Sequence, residues 1–232
     1  MTNSARLHSD LSRLGRETDM LLATVESLGD DEMAVSSLCG GWTRAEVIAH
    51  VTSSGRALVR LIDWATTGEE RPLYASDDDR SREIAALAAL PREGLIRELR
   101  ESAGNFSEQA QRLSGELAAP EVQLNGKAIP ATSIVALRIA EVVVHHHDLD
   151  TAWTIEEADP DSLLNALEAV VRSLRATGSP GMTLVTEERD EWVIGDGSLR
   201  VVSDREGLLQ WLSRGDAEHI DVDGPVPVLP SW

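Results

Sequence analysis

The chain has 232 residues, 42% hydrophobic and 26% charged, an ordinary globular composition long enough for one large domain or two small ones. Its 40 acidic and 21 basic residues leave a net charge of −19, which argues against nucleic-acid and anionic-membrane partners and requires local cations to hold any anionic substrate. No apolar run approaches bilayer length, the N-terminus turns directly into an amphipathic pattern with no signal peptide, and Cys39 as the only cysteine rules out an internal disulfide, so the expected compartment is the reducing cytoplasm.

Leu7, Leu11, Leu14, Met20, Leu21, Val25 and Leu28 form a helical stripe over about residues 4–28. Gly40-Gly41 breaks the chain. Thr43 and Glu46 then make a capping-box signature for a helix carrying Val47, Ile48, Val51, Leu58, Leu61, Ile62 and Trp64 and ending near Gly68. Residues 69–81, with Pro72 and three consecutive aspartates, read as a polar loop, and a short helix is expected over 82–89. Pro91 opens a helix that continues to about 116 through Leu95, Ile96, Leu99, Phe106, Ala110 and Leu113. Residues 122–124 and 127–129 flank Asn125-Gly126, a two-residue hairpin signal.

From about 132 to 154 runs a helix that is apolar almost all round, and therefore buried. Beyond residue 157 the pattern changes. A helix over 161–176 stops at Gly178, and three strands follow at 182–185, 191–194 and 199–202. A short helix at 208–212, a last strand at 219–222 and an extended proline-rich tail from Gly224 complete the chain. The expected fold class is α+β: an N-terminal antiparallel four-helix bundle over residues 1–157, then a small α+β domain over 158–232.

Glu141 and His145 stand four residues apart on the buried helix, so they project from nearly one face. On a helical wheel His145 falls about 40° from Glu141 and Asp148 about 20° on the other side, whereas His146 and His147 fall well off that face. Glutamate and imidazole can grip one cation from that face, and His50 from an earlier helix can add a third ligand. Two histidines, one glutamate and an open position make a catalytic zinc ligand set. Asp148 is placed to accept the second ring proton of His145, or, less directly, to be a ligand itself. A competing reading needs no metal: Arg138, one turn before Glu141, pairs with its buried carboxylate. Arg44, Arg56 and Arg60 share the helix of His50 and are candidate anion contacts or members of a solvated face.

Gly41-Trp42-Thr43 with His50, and Glu141, His145 and Asp148 in their spacing, resemble the metal-binding helical domain of the DinB-like superfamily. More specifically, the chain resembles the mycothiol-dependent maleylpyruvate isomerases. Ile48-Ala49-His50-Val51, Pro72-Leu73-Tyr74, Ser213-Arg214-Gly215-Asp216 and the proline-rich end closing at Trp232 extend the likeness over nearly the whole chain. The resemblance implies one Zn²⁺ per chain held by His50, Glu141 and His145, mycothiol as thiol cosubstrate, and Arg214 of the second domain as a catalytic residue. It also implies a sterol-carrier-like second domain.

The implied reaction converts maleylpyruvate to fumarylpyruvate in gentisate catabolism. Thiolate addition turns the double bond into a single bond that can rotate, and elimination returns the thiol. A zinc-bound thiol is deprotonated near neutral pH. The expected partners are a small dicarboxylate and mycothiol, with no nucleic acid, no membrane and a monomeric chain. Two other readings stay open: a mycothiol S-transferase that releases a stable adduct, and a non-catalytic metal-binding protein.

Overall fold

The computed structural model describes residues 3–124 and 126–229, excepting the side chains of residues 3, 4, 176 and 177. Asn125 of the expected hairpin turn and the closing residues Pro230, Ser231 and Trp232 lie outside the described residues. The chain divides into two compact units, Met1–Trp153 and Thr154–Trp232.

The first unit is built from α1 (Asn3–Ser27), α2 (Asp30–Met33), α3 (Arg44–Thr67), α4 (Asp77–Ala88), α5 (Arg92–Ala110) and α6 (Ile134–Asp148), with a hairpin of β1 (Glu121–Leu124) and β2 (Lys127–Pro130) before α6. The expected stripe is realised in Leu7, Leu14, Leu21 and Val25 of α1 and in Leu28 just beyond it, all buried. Helix α3 packs on α4, α5 and α6, and α1 packs on α5 and α6. The sequence reading of four helices thus misses α2 and shortens α4. Ser76 caps α4 by accepting from the Asp79 amide, and Asp77, Asp78 and Asp79 occupy its first turn, where negative charge favours the helix N-terminus. The aspartate run that reads as loop is a helix start.

Helix α6 is apolar because it is enclosed. Ile134, Val135, Ile139, Ala140, Val142, Val143 and Val144 are each at most 1% exposed. Its C-terminal end is held by the segment before α3. Leu38 N donates to Asp148 O at 2.9 Å, Arg44 Nε donates to Leu149 O at 2.6 Å, and Arg44 also donates to Asp150 O. Thr43 and Glu46 form the capping box of α3, with Thr43 N donating to Glu46 Oε2 at 2.8 Å. Gly41, at φ +83°, turns the chain into that cap, as an L side chain rarely does.

Farther along, Arg138 of α6 is fully buried and donates to Val51 O at 2.7 Å and Ser54 Oγ at 2.9 Å on α3. The two helices therefore run antiparallel, the start of α3 against the end of α6. A Cβ at Gly55 would stand 2.6 Å from Ser102 Oγ and 3.1 Å from Arg138 Nη2. Gly55→Ala is expected to cost about 1–3 kcal/mol by overpacking, more than the helix propensity it gains. Gly104→Ala on α5, with nothing within 4 Å of its Cβ, is expected to gain about 0.5–1 kcal/mol. Urea unfolding of the two variants checks the contrast, and a stabilised Gly55→Ala would refute the close packing around Arg138.

The second unit contains α7 (Pro160–Thr177), β3 (Met182–Thr186), β4 (Glu191–Ile194), β5 (Leu199–Ser203), α8 (Arg205–Arg214) and β6 (Asp221–Val222). The strands form one mixed sheet of order β4-β3-β5-β6, in which β3 and β5 are parallel and the other pairs antiparallel. Met182, Leu184, Ile194 and Val201 are buried in the sheet, and Leu208, Leu209, Trp211 and Leu212 in α8. The class is α+β, as read from the sequence. No helix among the described residues is long and apolar enough to cross a membrane.

Candidate metal centre

The antiparallel pairing of α3 and α6 sets the second turn of α3 against the last turns of α6. His50 thereby meets Glu141 and His145. His50 Nε2 lies 3.1 Å and His145 Nε2 3.8 Å from Glu141 Oε2. The two imidazole rings meet edge to face with centroids 4.6 Å apart. One ligand atom from each of the three side chains falls within 4.8 Å of the others. Ligands about 2.0–2.2 Å from a tetrahedral zinc stand about 3.3–3.6 Å apart, so the spacing found here brackets the spacing such an ion needs.

Glu141 Oε2 decides the fit. It is buried, and the groups set against it are His50 Nε2 at 3.1 Å and His145 Nε2 at 3.8 Å. A carboxylate oxygen sealed from water is costly unless it is well paired, and a cation between the three side chains would satisfy it more fully than one imidazole N–H. Burial alone would raise the Glu141 pKa, but His50, His145 and Arg138 outweigh it and hold the group below the ordinary carboxylate range. His50 is lowered from its ordinary value by burial and then by His145, which favours the neutral imidazole that a metal ligand must be.

Arg138 is not the direct partner of that carboxylate. Its guanidinium serves Val51 O and Ser54 Oγ and lies over Phe106, and no ion pair joins it to Glu141 within 4.0 Å among the described residues. It acts on Glu141 through its field. Burial lowers the Arg138 pKa to about 10, so it stays charged at neutral pH.

Around the three side chains, His145 Nδ1 lies 2.7 Å from Asp148 Oδ2, and Asp148 is fully buried. An ionised carboxylate only accepts, so this contact puts the ring proton on Nδ1 and leaves Nε2 a lone pair directed at the site. His146 turns away: its Nε2 lies 2.7 Å from Thr24 Oγ1 and its ring stacks on Trp153. Burial, then His147, lowers its pKa to about 3. Trp42 packs against His50 with ring centroids 5.3 Å apart.

The three arginines of α3 are occupied structurally. Arg44 ties down α6, Arg56 pairs with Glu98 and Glu83, and Arg60 donates to Leu73 O and lies over the Tyr74 ring. Tyr74 OH is 3.0 Å from Ser53 Oγ, and its burial raises the pKa. Arg80 of α4, which the sequence reading placed in a loop, lies with Nη2 3.3 Å from His50 Nδ1. Its signal was the capping serine four residues earlier. Arg214 is the last residue of α8 in the second unit and donates to Ser213 O at 2.6 Å.

Among solved structures, the crystal structure of the mycothiol-dependent maleylpyruvate isomerase and that of a histidine-to-alanine mutant of it are similar to this chain. Each has a TM-score of 0.82 and 24% identity over 100% of both chains. At that identity the likeness establishes the fold. No curated protein matches the chain. A family model described as the mycothiol maleylpyruvate isomerase N-terminal domain matches residues 14–150, more than half of the chain and all three converging side chains. The protein belongs to the mycothiol maleylpyruvate isomerase N-terminal domain family.

Proposed function

We propose that the protein is a zinc-dependent isomerase that uses mycothiol to convert maleylpyruvate to fumarylpyruvate in gentisate catabolism. The observation that carries this reading is the buried Oε2 of Glu141 converging with His50 and His145, within a domain of this family. Bound there, Zn²⁺ would supply the Lewis acidity that keeps a thiol deprotonated near neutral pH. The chain's own residues do the rest. His50, Glu141 and His145 would hold the ion, Asp148 fixes the ring proton of His145 on Nδ1, and the apolar residues of α6 keep bulk water from the back of the site. The Cys39 sulfur is not needed as nucleophile. A thiol cosubstrate suits a reducing cytoplasm.

Arg214 is proposed to bind a substrate carboxylate, since guanidinium and carboxylate pair through two parallel hydrogen bonds. Arg214→Ala is expected to bind zinc normally and to lose about 10- to 100-fold in kcat/KM, the worth of one hydrogen-bonded charge contact. Metal analysis with steady-state kinetics checks it, and unchanged kcat/KM would remove the residue from the site.

Proton NMR of zinc-loaded protein with maleylpyruvate and mycothiol tests the whole reading. Fumarylpyruvate forming while mycothiol stays constant supports the isomerase. Mycothiol consumed into a stable adduct means an S-transferase. No change in either compound means that the site serves another electrophile or holds metal without catalysis.

A further inference from the structure

The two ligand histidines have opposite outer partners. His145 Nδ1 faces an acceptor, Asp148 Oδ2. His50 Nδ1 faces Arg80 Nη2, and a guanidinium only donates. The Arg80 contact therefore makes His50 Nδ1 an acceptor and places the ring proton of neutral His50 on Nε2, toward Glu141 Oε2 at 3.1 Å. A metal ion on Nε2 needs the reverse: the lone pair on Nε2 and the proton on Nδ1. Two donors cannot then face each other, and the guanidinium must leave His50.

Among the described residues Arg80 has no competing ion pair. No carboxylate lies within 4.0 Å of its guanidinium among the described residues, although the chain carries 40 acidic groups. The nearest aspartate of its own helical turn in sequence, Asp79, pairs with Arg82. Arg80 is half-buried, and its charge is felt by both His50 and Tyr74. The start of α4 fixes this placement, because Ser76 and the three aspartates set where the helix begins.

We propose that Arg80 is an anion-binding residue of this site, held on His50 Nδ1 while the metal is absent and released toward a carboxylate of the ligand when a cation takes Nε2. The proposal rests on the metal reading above and names within the first unit the cation that a dicarboxylate would meet. Metal and anion binding are then coupled, and the coupling is reciprocal. With metal absent, Arg80 is engaged and the site binds an anion poorly. With metal bound, a guanidinium fork is free beside it.

Three measurements test this, none of them turnover. Zinc affinity by competition with a chromophoric chelator is expected to be about 3- to 10-fold tighter for Arg80→Met than for the parent, because the variant has no hydrogen bond to give up. Maleate, a cis-dicarboxylate probe, is expected to bind zinc-loaded Arg80→Met about 10- to 100-fold more weakly than the zinc-loaded parent by calorimetry. Long-range proton–nitrogen NMR of the unsubstituted protein is expected to show His50 protonated on Nε2 without metal and on Nδ1 with zinc, a readout independent of whether the variant folds. Zinc affinity unchanged or weakened in a folded Arg80→Met, equal maleate affinity in the two proteins, or a His50 proton on Nδ1 in the metal-free protein would each overturn the coupling. Success here without maleylpyruvate turnover refutes the isomerase reading alone, and turnover with failure here refutes Arg80 alone.

Discussion

His145→Ala is expected to bind zinc more than about a hundredfold more weakly than the parent and to show no measurable isomerisation. The metal would lose one of three protein ligands. If zinc binding here is worth something like the roughly 10–16 kcal/mol of other protein zinc sites, one ligand accounts for at least about 3 kcal/mol of it. The substitution also strands Asp148, whose buried carboxylate sits 2.7 Å from the ring that would be removed. Some loss of stability, about 1–3 kcal/mol, is therefore expected as well, and the affinity is best measured well below the unfolding temperature. His146→Ala is the control. Its ring stacks on Trp153 and contacts Thr24, so it should bind zinc like the parent. Undiminished zinc affinity in His145→Ala, or equal losses in both variants, would move the metal elsewhere.

The second large effect is on stability. Arg138→Ala is expected to lose about 2–4 kcal/mol, a sizeable share of the roughly 5–15 kcal/mol that holds a domain folded. It removes two hydrogen bonds to α3 and the body of a side chain that fills the space over Gly55 and against Phe106. Arg138→Met keeps most of the volume and removes a charge that is expensive to bury, so it is expected to stay within about 1 kcal/mol of the parent. Chemical unfolding of the pair separates packing from charge. An Arg138→Ala protein as stable as the parent would mean that the contacts between α3 and α6 do little for the first unit.

The pattern of the candidate metal centre was legible because a helix repeats every 3.6 residues. Glu141 and His145 on one apolar helix imply a shared face, and Thr43 with Glu46 marks where the helix of His50 begins. Periodicity along one element says nothing about which residues of other elements meet that face. Arg138 illustrates the limit: sequence offered it as an intrahelical partner for Glu141, but its guanidinium crosses to α3 carbonyl and hydroxyl oxygens. The start of α4 was lost for another reason. Consecutive aspartates have poor helix propensity and read as loop, but behind a serine cap they favour a helix N-terminus. That error hid Arg80. In the second unit the alternation showed strands but not their order, and the parallel pairing of β3 with β5, which skips β4 in the sequence, has no local signature.

The clamp that Arg44 places on the end of α6 joins residues 105 positions apart. Closing a segment of that length must precede any reward from the contacts it makes, so such pairings form late on a folding path. The three side chains of the candidate metal centre lie on the two helices that this clamp joins. During biosynthesis His50 leaves the ribosome long before Glu141 and His145, and no complete ligand set exists until the first unit is almost wholly synthesised. Zinc capture in a refolding experiment should accordingly track the slowest step of that unit rather than the appearance of helix, so the ion would serve as an indicator that the correct topology has closed.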